Sequence, residues 1–228
     1  MAKQTHHSSK NVKSSKSEWI DISIPLNESI RQTPGEDYMP HIKRIRSRER
    51  GDKVVMQQIF INSHNGTHVE TPYFWYEEAK TIDEMPLDTT IGPARVIEIK
   101  DPVSIKVKEL KTYDIQPGER LLFKTQNSSR ADLAVKFYED NVYFTTRAAH
   151  FLAQKKVRLV GLDAMSVGNL ANHKANDETH QIMLQNNIYL IEDIDLSKAK
   201  PGRFELICLP LRLEKGEASP ARAIIRPI

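Results

Sequence analysis

Residues 63–72, SHNGTHVETP, place two histidines and a glutamate close together, directly after a segment that predicts a strand. Gly66 gives the backbone between His64 and His68 the freedom to turn, so that two imidazoles four residues apart can converge. Glu70 lies two residues beyond His68 and therefore shares its face in an extended segment. Two imidazoles and a carboxylate suit Zn²⁺ or Mn²⁺ and leave coordination positions open for water. The alternative is a group of hydrogen-bonded polar side chains at a strand end.

The sequence on both sides of this stretch predicts a mixed architecture. Ile20, Ile22 and Ile24 alternate with polar residues, which is typical of a half-buried strand. Further strands are predicted at residues 54–62, 94–99, 120–124, 157–162, 188–191, 204–211 and 221–226, and helices at residues 145–155 and 177–186. Many strands with a few helices predict a mixed α/β, β-rich fold.

The chain divides into a short polar segment and one domain. Residues 1–17 are rich in Lys, Ser, Asn and His and contain almost no apolar side chains, so we predict a disordered tail there. Residues 18–228 carry no internal repeat and no linker, and their length suits a single domain.

Composition narrows the class of protein. The net charge of +3 is modest, and the basic run at residues 43–50 lacks interleaved aromatic residues, so we predict a solvated face and no nucleic-acid partner. The absence of a long apolar segment predicts no membrane partner. Cys208 is the one cysteine and lies in an apolar run, which predicts a buried thiol and a reducing, cytoplasmic setting.

Several motifs in one order along the chain resemble a known family. The stretch HNGTHVETP at residues 64–72 is similar to the H-x-G-T-H-x-D-x-P-x-H signature of the cyclase family, which includes bacterial kynurenine formamidase (arylformamidase) and isatin hydrolase. Residues 81–87 (TIDEMPL), 160–166 (VGLDAMS) and 201–228 also resemble segments of that family. His180 and Glu192 match its distal histidine and carboxylate in order and separation.

The resemblance implies a fold, a cofactor and a reaction. The fold is the family's compact swivelling β/β/α domain, assembled into homodimers or homotetramers. The cofactor is a divalent metal, Zn or Mn, and the reaction is hydrolysis of an amide, lactam or ester in a small-molecule substrate by metal-activated water. The metal ligands implied are His64, His68, Glu70, His180 and Glu192. Of these, Glu70 and Glu192 are also the predicted catalytic residues.

Three positions depart from the family pattern. Glu70 stands where the family has aspartate, and Phe74 stands where the family has a histidine that moves a proton. Thr33 replaces the aromatic residue that precedes Pro-Gly in kynurenine formamidases. Thr33, Phe74 and Trp75 are the predicted substrate-pocket residues, and candidates for a replacement proton carrier are His41, His173 and Tyr73. The loss of the histidine leaves open a second hypothesis, a non-catalytic relative that binds metal or ligand.

Overall fold

The computed structural model describes residues 18–32 and 38–228. The tail predicted at residues 1–17 and the predicted pocket residue Thr33 lie outside the described residues. The strands are β1 (Ile20–Asp21), β2 (His41–Arg46), β3 (Met56–Phe60), β4 (His68–Glu70), β5 (Ile91–Glu98), β6 (Ser104–Ile105), β7 (Arg120–Lys124), β8 (Tyr143–Phe144), β9 (Leu159–Leu162), β10 (Tyr189–Glu192), β11 (Gly202–Pro210) and β12 (Ala218–Pro227). The α-helices are α1 (Val107–Leu110), α2 (Thr146–Gln154) and α3 (His173–Gln185).

The main sheet closes into a ring. Its strands follow the order β12-β11-β5-β7-β9-β10-β4, and β4 pairs again with the start of β12. Strand β1 pairs with the far end of β12, at Ile224 and Ile225. Strands β5, β7, β9 and β10 are parallel, and the remaining pairings are antiparallel. Closure satisfies the backbone groups that an open edge would expose. This arrangement confirms the predicted mixed α/β, β-rich fold.

Side chains alternate between the two faces of this barrel. On β7, Leu122 packs in the cluster inside the ring, whereas Leu121 and Phe123 pack outward against the helices. On β4 and β10, Val69 and Ile191 point inward. Because side chains alternate along a strand, the residues on either side of Val69 and Ile191 face the helical layer. This alternation decides where the chemically active side chains of β4 and β10 lie.

The helices of the outer layer are capped by their own side chains. The Thr145 side chain accepts a hydrogen bond from the Ala148 amide at the start of α2. The Asn172 side chain accepts one from the Ala175 amide, so α3 begins four residues before its predicted start at residue 177. No helix in the described ranges, 18–32 and 38–228, is long and apolar enough to cross a membrane.

Strands β2 and β3 form a separate two-stranded hairpin. Every residue of β3 is exposed, including Ile59 at 54% and Phe60 at 55%. The strand predicted at residues 54–62 therefore exists, in shortened form, but it lies outside the barrel. The basic run on β2 and the following turn is exposed. Cys208 is buried inside the barrel, as predicted, and burial raises the pKa of its thiol to about 12.

Candidate metal centre

The turn before β4 brings two imidazoles together. Gly66 has a φ of +65°, a conformation that favours glycine, and this turn places His64 Nδ1 3.2 Å from His68 Nε2. Glu70 follows on the same face of β4, with Oε1 3.0 Å from His64 Nδ1 and 3.5 Å from His68 Nε2. The predicted convergence of these three residues is therefore observed.

Strand β10 and helix α3 add two more side chains. Glu192 lies directly opposite His68 in the antiparallel β4–β10 pair, and its Oε2 is 3.4 Å from His68 Nε2. His180 lies on the buried side of α3, with Nε2 3.3 Å from Glu192 Oε1 and 3.9 Å from Glu70 Oε2. The two groups His64–His68–Glu70 and Glu70–His180–Glu192 each keep their candidate ligand atoms within 4.8 Å of one another. They share Glu70.

Hydrogen bonds at the far side of each ring fix its orientation. His68 Nδ1 lies 2.8 Å from the Gly66 carbonyl oxygen, and His180 Nδ1 lies 2.8 Å from that of Asn176. The Val167 amide donates to Glu192 Oε1 at 2.6 Å. Such contacts leave His68 Nε2 and His180 Nε2 free to bind a cation as neutral imidazoles.

The imidazoles and carboxylates of the centre lie close enough to shift each other's pKa values. Burial by itself lowers the pKa of His68, but hydrogen bonds to Glu192 and Glu70 outweigh it and raise that pKa to about 10. In His180, burial is outweighed mainly by the hydrogen bond to Glu192, and the pKa rises to about 9. Burial likewise opposes ionisation of Glu70, yet hydrogen bonds from His64 and His68 hold its pKa well below the usual range. Protonated imidazoles and carboxylates thus stabilise each other.

The donor set fits a divalent metal. Glu70 Oε2 is buried and has no hydrogen-bond partner in the part of the chain that the structure describes, although an unpaired buried carboxylate oxygen is costly. A cation held by this oxygen and the nearby imidazoles would remove that cost and would displace protons from the imidazoles. Nitrogen and carboxylate ligands are typical of Zn²⁺ and Mn²⁺ sites, and two groups sharing one carboxylate suit one ion or two.

A cavity of about 460 Å³ opens onto this centre. Its wall includes Phe74 and Trp75, two of the candidate pocket residues. The Phe74 ring lies 4.9 Å from the His64 ring and 6.4 Å from that of His180. The volume is in the range of small-molecule sites.

The three candidates for a replacement proton carrier lie elsewhere. His41 is exposed on β2 beside Glu28, His173 is exposed in the first turn of α3, and Tyr73 does not line the cavity.

Sequence reasoning missed Glu217, which lines the cavity at the start of β12, with Oε1 3.5 Å from His64 Nε2. Burial tends to raise the pKa of Glu217, but the stronger hydrogen bond to His64 lowers it to about 2. Only the pairing of β12 with β4 brings Glu217 to the site, so no local pattern reveals it.

Comparisons with known proteins agree with this geometry. The Cyclase family model matches residues 20–169, more than half of the chain. The kynurenine formamidase of Bacillus cytotoxicus is 34% identical over 212 residues, covering 93% of this chain and 99% of that protein.

Two solved structures share the fold. A predicted metal-dependent hydrolase from Bacillus stearothermophilus is 25% identical with a TM-score of 0.80, covering 92% of this chain and 98% of that one. Isatin hydrolase A from Labrenzia aggregata has a TM-score of 0.80 over 95% of this chain and 96% of that one, and at 19% identity it supports the fold alone. The chain therefore belongs to the cyclase family, a family of metal-dependent hydrolases.

Proposed function

We propose that this chain hydrolyses a C–N bond in a small aromatic amide or lactam, with an aryl formamide as the leading substrate class. The same metal-activated water would also cleave the C–O bond of an ester. The observation that carries the proposal is the pair of ligand groups sharing Glu70 at the wall of the cavity. The name of the formamidase relative supports an aryl formamide, since that protein covers almost the whole chain.

The proposed metal ligands are His64, His68, Glu70, His180 and Glu192. A divalent ion held there would polarise the substrate carbonyl and lower the pKa of a bound water towards about 7. Either Zn or Mn is compatible with these nitrogen and oxygen ligands.

The remaining side chains of the cavity orient the substrate and handle protons. Phe74 and Trp75 stand edge to face, with ring centroids 5.6 Å apart, and offer an apolar surface to an aromatic substrate. Phe74 itself cannot carry a proton. We propose that carboxylates on the cavity wall, Glu70, Glu192 and Glu217, accept the proton of the attacking water. The carboxylic acid formed in this step then returns that proton to the leaving nitrogen as the C–N bond breaks.

A second candidate function follows from the residue at position 74. Because Phe74 occupies the place of the family's proton-carrying histidine, a relative that binds metal or ligand without turnover is the alternative. General acid–base catalysis contributes about 10²–10⁴-fold to the rate of a reaction. Loss of the histidine therefore slows hydrolysis without removing the contribution of a metal-activated water. Retention of both ligand groups favours the enzyme.

We propose further that the chain self-associates as a homodimer or homotetramer. The β2–β3 hairpin supports this, because a two-stranded sheet with apolar residues exposed on β3 is marginally stable alone and gains from a covering surface. Light scattering over a wide concentration range tests it, and a monomer throughout would contradict it. A cytoplasmic setting stays a prediction.

Turnover of a substrate panel tests the proposed reaction. The protein loaded with Zn²⁺ or Mn²⁺ is assayed with formanilide, isatin and phenyl acetate, and we expect the highest kcat/KM for formanilide. His68→Ala should lose turnover together with metal, whereas the matched control His150→Ala, an exposed histidine on α2, should keep both. Full metal content without turnover of any panel member would contradict the proposal.

A further inference from the structure

Arg31 is a buried cation beside the candidate metal centre. Its side chain is fully buried and one guanidinium nitrogen, Nη2, donates to Asp193 Oδ1. Its Nε and Nη1 are buried and have no hydrogen-bond partner among residues 18–32 and 38–228. Arg31 therefore has more hydrogen-bond donors than its ion pair with Asp193 uses.

The Arg31–Asp193 pair is tied to the backbone of the metal centre. Asp193 directly follows Glu192, and its carbonyl oxygen accepts a hydrogen bond from Thr67 Oγ1, 2.5 Å away. Thr67 in turn precedes His68. Arg31 is thus held in place relative to both ligand groups, and it lines the same cavity.

A second donor lies next to it. Gln32 also lines the cavity, and its Nε2 is buried without a partner among the described residues. Its Oε1 accepts from the Tyr38 amide at 3.3 Å, which fixes the amide group with its nitrogen free. Arg31 is the one lysine or arginine among the described residues that line the cavity, where the other ionisable groups are mainly carboxylates and the candidate metal ligands. Trp75 Nε1 is a further buried donor without a partner among the described residues, but it is uncharged and belongs to the aromatic pair with Phe74.

Energetics favour a ligand for these donors. A buried donor without a partner destabilises the folded protein, and more so when it carries charge. The ion pair with Asp193 uses one nitrogen of the Arg31 guanidinium. The planar guanidinium carries further donors, and their arrangement matches a carboxylate.

We propose that Arg31, assisted by Gln32, forms a subsite for a carboxylate on the substrate that is hydrolysed at the metal centre. The inference rests on the proposed function and narrows it to aryl amides that carry an acidic group. The carboxylate end lies against Arg31, and the scissile amide lies towards His64 and Phe74. Asp193 keeps the guanidinium fixed and acts as a positioning residue.

Substrate preference tests the subsite. The metal-loaded wild type is compared on formanilide and on its 2-, 3- and 4-carboxy derivatives, and we expect the best carboxy isomer to exceed formanilide about tenfold or more in kcat/KM, as for a charge-assisted hydrogen bond. Arg31→Lys keeps a cation for Asp193 but lacks the fork, so this ratio should fall about tenfold, mainly through KM.

Two further variants separate recognition from folding. Arg31→Met with Asp193→Asn removes both charges, leaves no uncompensated buried ion, and should also abolish the preference. Arg95→Lys alters a partly buried arginine paired with Glu119 outside the cavity and should keep it. An unchanged ratio in Arg31→Lys and in the double variant would show that Arg31 is only the ion-pair partner of Asp193.

Failure of the proposed function is distinguishable from failure of the subsite. If the metal-loaded protein turns over no formanilide, thermal shifts with benzoate and with benzamide measure recognition directly. Stabilisation by benzoate over benzamide that disappears in Arg31→Lys supports the subsite in a protein without this activity. Equal stabilisation of both proteins by benzoate, as expected for binding to the metal alone, would overturn it, as would no stabilisation of either.

Discussion

Charged side chains usually lie at the surface of a protein and apolar side chains in its interior. The candidate metal centre buries charged groups, whereas the β2–β3 hairpin exposes apolar ones. In the centre, His68, Glu70 and Glu192 are each about 2% exposed although all can carry charge. In the hairpin, Ile59 and Phe60 are more than half exposed although both are apolar. Buried polar groups and exposed apolar patches are the informative exceptions in a folded protein.

The difference between these regions lies in how each is stabilised. In the centre, opposite charges contact one another within the same chain, and a cation can replace the protons that they share. In the hairpin, the described chain supplies no apolar surface over β3. The candidate ligands of the centre therefore meet within one copy of the chain, whereas the hairpin leaves an apolar face that we propose a second copy covers.

Loss of metal is the largest expected effect. His68→Ala removes the nitrogen that contacts both Glu70 and Glu192, so stoichiometric Zn or Mn should be lost after extensive dialysis. Elemental analysis of the purified variant measures this, with His150→Ala as control. A full equivalent of metal in the His68 variant would contradict the assignment.

Restoring a proton carrier gives the next largest effect. Phe74→His places an imidazole beside His64 and His180, where it can accept a proton near neutral pH. We expect turnover of formanilide to rise about tenfold or more with metal content unchanged. Steady-state kinetics with metal analysis measures both. If wild type and variant are inert with full metal, the non-catalytic alternative is correct.

A charge on the hairpin should separate the two regions. Ile59→Asp places a carboxylate on the apolar face of β3 and should lower the mass measured by light scattering, because an interface cannot bury it unpaired. Val103→Asp, at an exposed apolar residue outside the hairpin, is the matched control. Metal content should be the same in both variants. An unchanged mass for Ile59→Asp would show that the hairpin is not the contact surface.

The smallest expected effect is on stability against pH. In the metal-free protein the folded pKa of His68, about 10, lies above its ordinary value of 6.5. Its contribution to the free energy of unfolding is therefore full below pH 6.5 and is lost as the pH rises to about 10. Thermal unfolding of chelator-treated protein should show Tm falling over this range. Saturation with Zn²⁺ should abolish the fall, since the bound ion holds the imidazole neutral at every pH tested.

The sequence predicts the local half of the site and much of the fold. The stretch from His64 to Glu70 predicts its own convergence because one glycine turn and one extended segment determine it. His180 and Glu192 come only from resemblance, since their meeting depends on the pairing of β10 with β4. Glu217 and Arg31 were not predicted, because β12 and the segment after β1 reach the cavity through tertiary contacts. The exposure of β3 was not predicted either, since its apolar pattern resembles that of a core strand.

Strand β4 has a consequence for the order of assembly. Its three residues close the barrel by pairing with β10 and with β12, which lie more than 100 residues further along the chain. Contacts of such high sequence separation form late, after the loop entropy between them has been overcome. During synthesis from the amino end, the candidate ligands on β4 acquire their complete surroundings only after the last strands have been made. Closure of the barrel and completion of the metal centre are thus a single event, and a cation that binds there reports a finished fold.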